Sequence, residues 1–211
     1  MSPRRRQADR TRETRAALIA AGRRLFGERG YGAVPAEEIV AASGLTRGAL
    51  RHHFGDKREL FQAVFEELEI EITDRIGTAA AGAADTWTAV TYGLTAFLDA
   101  CEEPQVIQIV LTDAPAVLGW ATWRAIEAEH GLGLITAVLD RAVTEGILTP
   151  QPVDVLAHLV LSATIEAALL IARAPDPGAA RAAAERTLLA LITGLRTDRN
   201  TGKRMPEPGS C

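Results

Sequence analysis

The sequence has few of the residues that several protein classes require, and each shortage narrows the possibilities. Only two cysteines occur among its 211 residues, Cys101 and Cys211. Such a pair gives no cysteine metal-ligand spacing, and a disulfide framework is not expected. The basic N-terminus lacks the apolar run of a signal peptide, and no stretch of 18 purely apolar residues exists. We therefore expect a cytoplasmic protein with no metal, no cofactor and no membrane partner.

Aromatic residues are also scarce, at 5% of the chain, although apolar residues make up 47%. The apolar content is mostly Ala, Leu, Ile and Val, a mix that permits a sizeable core and favours helices over sheets. No strand-like alternation and no internal repeat stand out. The sequence predicts an all-α fold of about nine to ten helices.

Charge of each sign is concentrated in a different part of the chain. Residues 1–60, called the head below, carry 13 Lys/Arg against 7 Asp/Glu. Residues 61–211, called the body, carry 10 against 20, which leaves the net charge of -4. This asymmetry suits a protein whose head binds an anion and whose body does not, and the alternative is an uneven solvated surface.

Within the head, residues 30–57 have the organisation of a helix-turn-helix. The segment reads GYGAVPAEEIVAASGLTRGALRHHFGDK. Apolar spacing and breaks predict helices at residues 9–29, 36–43 and 47–54, with Thr46 capping the third. A fourth helix begins at Asp56, whose spacing from Glu59 is that of a capping box. A helix-turn-helix places one exposed helix in a DNA groove, so the segment favours a nucleic-acid partner.

The third predicted helix divides into an inner and an outer face. Leu50 and Phe54, four residues apart, are expected to pack inwards. The outer face then carries two arginines, which offer forked donors to guanine or to phosphate. Lys57, in the first turn of the fourth helix, is expected to bind a phosphate together with free backbone N–H groups. The predicted DNA-binding residues are Thr46, Arg47, Gly48, Arg51, His52, His53 and Lys57.

Several strings between residues 10 and 68 form one pattern: AALIAAGRRLFGERGY, then Ile39 and Ala42, then SGLTRGAL, HHF and DKRELF. Together they resemble the N-terminal domain of TetR/AcrR-type transcriptional regulators. The resemblance implies a homodimeric repressor whose all-helical C-terminal domain holds a small-molecule inducer and the dimer interface. It also implies DNA contacts by the start of the third helix and by Gly48, His53 and Lys57.

The head departs from the pattern of that family in two places. Arg51 stands where the family usually has a phosphate-contacting Tyr, so it is expected to bind phosphate or to read a base. Val34 and Pro35 stand where a Thr or Ser pair usually caps the second helix and binds phosphate, which puts that contact in doubt. The basic residues at positions 4–6 are candidates to compensate by reaching a minor groove or the DNA backbone.

Apolar-striped segments with short breaks fill the body. They predict helices at residues 86–102, 104–111, 115–146, 154–173 and 179–196, the third of them broken near Gly131 and Gly133. Asp113, just before Ala114 and Pro115, is expected to cap a helix. The resulting domain boundaries are a flexible basic arm at 1–8, a helix-turn-helix domain at 9–57, a helical effector-binding and dimerisation domain at 58–197 and a disordered tail at 198–211.

Some residues of the body are candidates for a ligand pocket. Trp120 and Trp123 are expected to line an aromatic pocket with Tyr92 and Phe97, and plain core is the equal alternative. Glu166 lies in the apolar segment LSATIEAALLIA, where a buried carboxylate needs a partner, either a ligand or a second subunit. The predicted effector-pocket residues are Tyr92, Phe97, Gln108, Trp120, Trp123, Glu127 and Glu166.

A wide apolar stripe on the last predicted helix indicates a dimer interface formed by Leu188, Leu191, Ile192 and Leu195. The leading hypothesis is a homodimeric transcriptional repressor that binds double-stranded operator DNA and releases it when a small-molecule effector binds. One alternative is a DNA-binding regulator without an effector. The other is an enzyme with a vestigial head, which we do not expect because nucleophile elbows, HExxH pairs, P-loops and Gly-rich dinucleotide turns are missing.

Overall fold

A computed structural model describes residues 3–197, with side chains from residue 7 onward. Over this range the chain forms nine helices and no β-strand, which confirms the predicted all-α fold. The predicted tail at 198–211 lies outside the described residues. The helices are α1 (Pro3–Arg29), α2 (Ala36–Ser43), α3 (Arg47–Phe54), α4 (Lys57–Ala81), α5 (Thr86–Ala100), α6 (Pro104–Leu118), α7 (Trp120–Thr144), α8 (Val153–Arg173) and α9 (Pro177–Thr193).

Short-range signals set the boundaries of the head helices. Thr46 caps α3 by accepting a hydrogen bond from the backbone N–H of Ala49 at 3.2 Å, and Asp56 caps α4 by accepting one from Glu59 at 2.8 Å. Gly44 ends α2 with a φ of 68°, a left-handed conformation that glycine adopts without steric cost. Both predicted N-caps are therefore confirmed, and α2 and α3 have the bounds that the sequence predicts.

The first helix begins at Pro3, so residues 3–8 are helical and lie ahead of the predicted start at Asp9. These residues lack an apolar stripe, which is why periodicity gives no signal for them. Proline is favoured in the first turn of a helix, and Arg, Gln and Ala are good helix formers. Intrinsic propensity therefore extends α1 where hydrophobic patterning does not.

A single apolar core connects the head to the body. Its buried members run from Phe26 in α1 through Phe61 and Phe65 in α4 to Trp123 in α7 and Ile165 in α8. Two smaller clusters complete the body, one between α5, α8 and α9 and one around Leu139 and Leu148. The head and the body therefore share one packed core.

The break in the central body segment falls at Gly119, and the predicted break near Gly131 and Gly133 is wrong. Helix α7 continues through both of those glycines. A Cβ added at Gly131 would lie 3.6 Å from Leu161 Cδ1, an ordinary van der Waals contact, so the packing of α7 against α8 does not require glycine there. Gly119 has φ 84° and ψ 149°, a region essentially restricted to glycine, and this turn separates α6 from α7.

Replacing Gly119 with alanine is expected to lower the free energy of unfolding by about 1–3 kcal/mol. Nothing lies within 4 Å of the added Cβ, so the cost arises from the backbone conformation alone. Gly133→Ala is the matched control, since its surroundings are equally open but its backbone is helical, and it should be neutral or stabilising. Urea unfolding of both variants measures the difference, and equal losses would contradict this explanation.

Helix α8 is the one helix in residues 3–197 that is long and apolar enough to cross a membrane by length and composition. Half of its most apolar 18-residue window is buried inside the domain, as in a core helix. Its opposite face leaves Val155, Leu159 and Leu170 exposed. Helix α8 therefore has two apolar faces. One packs in the core, and the other is exposed to solvent in the single subunit.

Candidate nucleic-acid interface and internal cavity

Helix α3 presents the polar face that the sequence predicts. Leu50 and Phe54 are buried, at 3% and 4% exposure, and fix the orientation of the helix. The outer side chains are exposed except for His53, which is half-buried beside Phe54, with 6.4 Å between the ring centroids. The exposed residues on this face are Thr46, Arg47, Gly48, Arg51 and His52.

The two arginines of α3 are free to reach a ligand. Arg47 lies 3.3 Å from Glu37, but both side chains are largely exposed, and such a surface pair contributes little to stability. Arg51 is exposed and forms no ion pair with the residues that the structure describes. The face therefore offers two forked cationic groups one helical turn apart, a geometry suited to phosphate oxygens and to guanine.

The start of α2 lacks a side-chain anchor, as Val34 and Pro35 indicate. Val34 is fully buried, and Pro35 occupies the N-cap position without making a side-chain cap. Glu37 and Glu38 follow in the first turn, and Glu38 forms an ion pair with Arg29 at 2.5 Å. These carboxylates interact favourably with the positive end of the helix dipole but repel a phosphate group. The described residues therefore provide no side-chain phosphate ligand at the start of α2.

Lys57 occupies a different position from the one expected of a phosphate ligand. Its Nζ donates hydrogen bonds to the carbonyls of Tyr31 and Val34, each at 3.0 Å, and lies 3.8 Å from the centre of the Tyr31 ring. Burial lowers the pKa of Lys57, and the charge of Asp113 opposes this shift. Because an ammonium has three donors and two are used by these carbonyls, the third is left to face the Tyr31 ring or to bind a phosphate. Within the subunit, the side chain fixes the α1–α2 loop against α4.

Asp113 does not cap a helix, which corrects the expectation from the sequence. It lies inside α6, in the π-helical turns Ile107–Asp113, and has helical backbone angles. Its Oδ2 accepts a hydrogen bond from the backbone N–H of Tyr31 at 2.7 Å. The α1–α2 loop of the head is thus attached both to α4, through Lys57, and to α6, through Asp113.

Two further contacts attach α6 to the head. Arg58, in the first turn of α4, donates to the carbonyls of Val117 and Leu118 at 3.2 and 3.1 Å and so caps the end of α6. Near the start of α6, Gln105 accepts a hydrogen bond from Arg23 of α1 at 3.0 Å. Helix α6 therefore contacts the head along its whole length.

Replacing Asp113 with alanine is expected to cost about 1–3 kcal/mol of the free energy of unfolding. The reason is that the Tyr31 N–H would be left without a partner in a partly buried position. Asp140→Ala, an exposed aspartate on α7, is the matched control and should stay within about 0.5 kcal/mol of wild type. Thermal and urea unfolding measure both variants, and a neutral Asp113→Ala would mean that solvent replaces the lost contact.

An apolar cavity of about 120 Å³ lies inside the body, between α4, α5, α6, α7 and α8, with Ile192 of α9 also in its wall. Two of the predicted pocket residues line it, Phe97 and Glu127. The remaining polar part of the wall was not predicted from the sequence, and it consists of Glu69, Thr73, Cys101 and Thr164. Helix α6 contributes Val106, Val110 and Leu111, so the helix that holds the head also forms one side of the cavity.

The other predicted pocket residues lie elsewhere. Tyr92 and Trp120 are exposed, and Glu166 is exposed on the outer face of α8, which corrects the prediction of a buried carboxylate. Trp123 is fully buried in the core, and its indole N–H has no partner among the described residues. Gln108 faces the end of α1, where a Cβ at Gly30 would lie 3.0 Å from its Nε2.

Two carboxyl groups of the cavity are buried in apolar surroundings. Burial, reinforced by the charge of Glu127, raises the pKa of Glu69 to about 8. Burial raises the pKa of Glu127 to about 7, against the opposing effect of Arg124, whose guanidinium lies 3.0 Å away. The pKa of the Cys101 thiol is also raised, mainly by burial. Near neutral pH the cavity therefore holds largely protonated Glu69 and a partly ionised Glu127 beside a cation.

The predicted dimer stripe is divided between core and surface. Leu188 is buried against α5 and α8, and Ile192 lines the cavity, so these two side chains belong to the core of the subunit. Leu195 is partly buried, whereas Leu191 is 61% exposed. The exposed large apolar residues of α8 and α9, called the outer face below, are Val155, Leu159, Leu170 and Leu191.

Two parts of the chain match known protein families. Residues 18–64 match the family described as bacterial regulatory proteins, tetR family, and residues 87–195 match the tetracyclin repressor-like, C-terminal domain. The chain is 28% identical to the transposon Tn10 TetC protein of Escherichia coli over 154 residues, which cover 73% of this chain and 78% of that protein.

Solved structures agree with these matches. A TetR-family transcriptional regulator from Pectobacterium atrosepticum is 35% identical and has a TM-score of 0.82, over 90% of this chain and 97% of that one. RolR, solved with the ligand resorcinol, shares the fold at 18% identity, with a TM-score of 0.69 over 88% of this chain and 90% of its own. The predicted resemblance is confirmed: the chain belongs to the TetR family of DNA-binding transcriptional regulators.

Proposed function

We propose that this regulator is a homodimeric repressor whose operator binding is relieved by a small molecule bound in the cavity of the body. The observation that carries the proposal is the position of α6. One side of this helix lines the cavity through Val106, Val110 and Leu111, and its other side holds the head through Asp113. A molecule that displaces α6 therefore acts on the head directly.

Helix α4 gives the cavity a second route to the head. It supplies Glu69 and Ile72 to the cavity wall and begins at Lys57, which holds the α1–α2 loop. Relief of repression requires that the effector bind the conformation with low operator affinity more tightly than the other. The π-helical turns of α6 suit such a change, since irregular turns of this kind are frequent at functional sites.

The alternative of a regulator without an effector gains less support from these features. Such a protein has no need of a cavity that buries Glu69 without a cationic partner, because a buried carboxyl group costs stability when it ionises. RolR, which has the same fold, is named with a bound ligand, and this makes an effector for the present chain a reasonable extension. An enzymatic body has no observation in its favour.

Footprinting on the intergenic DNA upstream of the gene tests the proposal. A two-fold dimer is expected to protect two half-sites about one turn of DNA apart, roughly 34–36 Å between centres. A thermal-shift screen then identifies molecules that stabilise the body, and these should release the DNA in a gel-shift assay. A protein that binds its site but ignores every stabilising molecule would support the effector-independent alternative.

A further inference from the structure

Glu69 is a buried carboxyl group without a cationic partner. Its side chain lines the cavity, the residue is 8% exposed, and no ion pair is recorded for it among the described residues. The walls around it are almost entirely apolar, with Ile72, Val110 and Leu161 among them. A buried carboxyl group in such a place costs free energy when it is ionised, and nothing in the subunit offsets that cost.

Glu127 differs because its charge is balanced within the subunit. Arg124 pairs with it at 3.0 Å and also donates to Ser162 Oγ at 3.1 Å. The negative charge of Glu127 nevertheless acts on Glu69 and is one cause of its raised pKa. The two carboxyl groups thus line one cavity whose wall includes no Lys or Arg among the described residues. Arg124 lies outside that wall and is already paired with Glu127.

Resting on the function proposed above, we propose that the effector is a small apolar monocation, such as a protonated amine on one ring, whose N–H groups bind Glu69 and the Glu127 side of the cavity. An anion is disfavoured by both carboxyl groups, and a neutral alcohol forms only weaker, uncharged hydrogen bonds. The volume of about 120 Å³ sets the size, since cavities of about 150 Å³ accept benzene.

Binding of such a cation releases a proton from Glu69, because the ionised carboxylate is the form that pairs with the amine. The charged group that acts on Glu69 is Glu127 of α7. The Cys101 thiol at the end of α5 lines the same cavity, and the charges of Glu102 and Glu103 act on it as well. A simple amine stays protonated below about pH 9, so the pH dependence between 6 and 8 comes from the protein. Affinity is expected to fall as pH falls, by about 50-fold between pH 8 and pH 6.

Three probes built on one five-membered ring test the proposal on the full chain: cyclopentylamine, cyclopentanol and cyclopentanecarboxylate, each titrated by calorimetry. The amine is expected to bind at least about tenfold more tightly than the alcohol at pH 8, and the carboxylate not at all. Glu69→Gln should remove this preference and most of the pH dependence while leaving the alcohol unaffected. Glu67→Gln, an exposed carboxylate on the same helix, is the matched control and should behave as wild type.

Equal or tighter binding of the alcohol or of the carboxylate would overturn the assignment of a cation, as would failure of the amine to bind. Binding of the amine that is unchanged in Glu69→Gln would place the cation elsewhere and would equally overturn it. The proposed function is tested separately, by a gel-shift assay that measures whether the amine releases operator DNA. If the amine binds as described but does not release DNA, the ligand chemistry stands and the derepression proposed above is wrong.

Discussion

Replacing Arg47 and Arg51 together with alanine is expected to weaken operator binding by roughly 30-fold to 10⁴-fold per head while the fold stays intact. A good bidentate contact between arginine and a base contributes about 1–3 kcal/mol, and two are removed. The helix should tolerate the change, because alanine is the best helix former and the surface pair of Arg47 with Glu37 adds little.

The measurement is fluorescence anisotropy at one fixed salt concentration, on the DNA fragment that wild type protects. Arg75→Ala with Arg141→Ala, two exposed arginines of the body, is the matched control for the loss of positive charge. It should lower affinity only slightly. If the control weakened binding as much as the head variant, general electrostatic attraction rather than contact by α3 would account for the effect.

A single Arg51→Ala variant then distinguishes the two roles left open for this residue. If Arg51 holds a phosphate, the variant should bind all sequences more weakly to the same degree and reduce the slope of the salt dependence by about one unit. If it reads a base, the preference at one operator position should relax. Retention of both the slope and the preference would remove Arg51 from the interface.

The head could be predicted closely because its signals are local. Thr46 and Asp56 each cap a helix through a residue three positions away, so the sequence itself contains both partners. Asp113 and Lys57 were assigned less well for the opposite reason. Their partner is the same loop residue, Tyr31, which lies 82 and 26 positions away in the chain. From the sequence alone, an aspartate beside Pro115 resembles an N-cap. Only the folded chain shows that the N–H that Asp113 accepts belongs to the distant Tyr31.

The cavity was harder to predict because the sequence of a helix does not state directly which of its polar side chains point inwards. Glu166 lies in an apolar helix, whereas Glu69 lies in a stretch of α4 rich in glutamate, yet only Glu69 is buried. Glu69 follows Phe65 by four positions and precedes Ile72 by three, and both neighbours are buried, which is the one sequence signal that was available. Helix α8 does contain a register signal for Glu166: Asp154, His158, Ser162 and Glu166 recur every four residues and are all exposed. This polar stripe places Glu166 on the solvent side, and the prediction of a buried carboxylate overlooked it.

On the outer face, Leu159→Glu with Leu170→Glu is expected to convert the proposed dimer into a monomer. These side chains are 62% and 61% exposed and lie three turns apart on the same face of α8. The subunit should therefore fold normally with both charges in water. In a two-fold dimer each change occurs twice, so four unpaired carboxylates would enter one apolar interface at a cost of several kcal/mol each.

Analytical ultracentrifugation measures the mass of this variant, and a DNA-binding assay measures its operator affinity independently. Mass should fall to that of one chain, and operator affinity should fall by about 10²–10⁴, because two linked heads gain that factor from effective concentration. Ile70→Glu, an exposed apolar residue of α4, is the matched control and should remain a dimer. A double variant that stays dimeric and binds DNA normally would place the interface elsewhere, and the exposed leucines would then require another partner. Loss of DNA binding without loss of the dimer would instead show that the outer face acts on the spacing of the heads, because the interface would persist while its geometry changed.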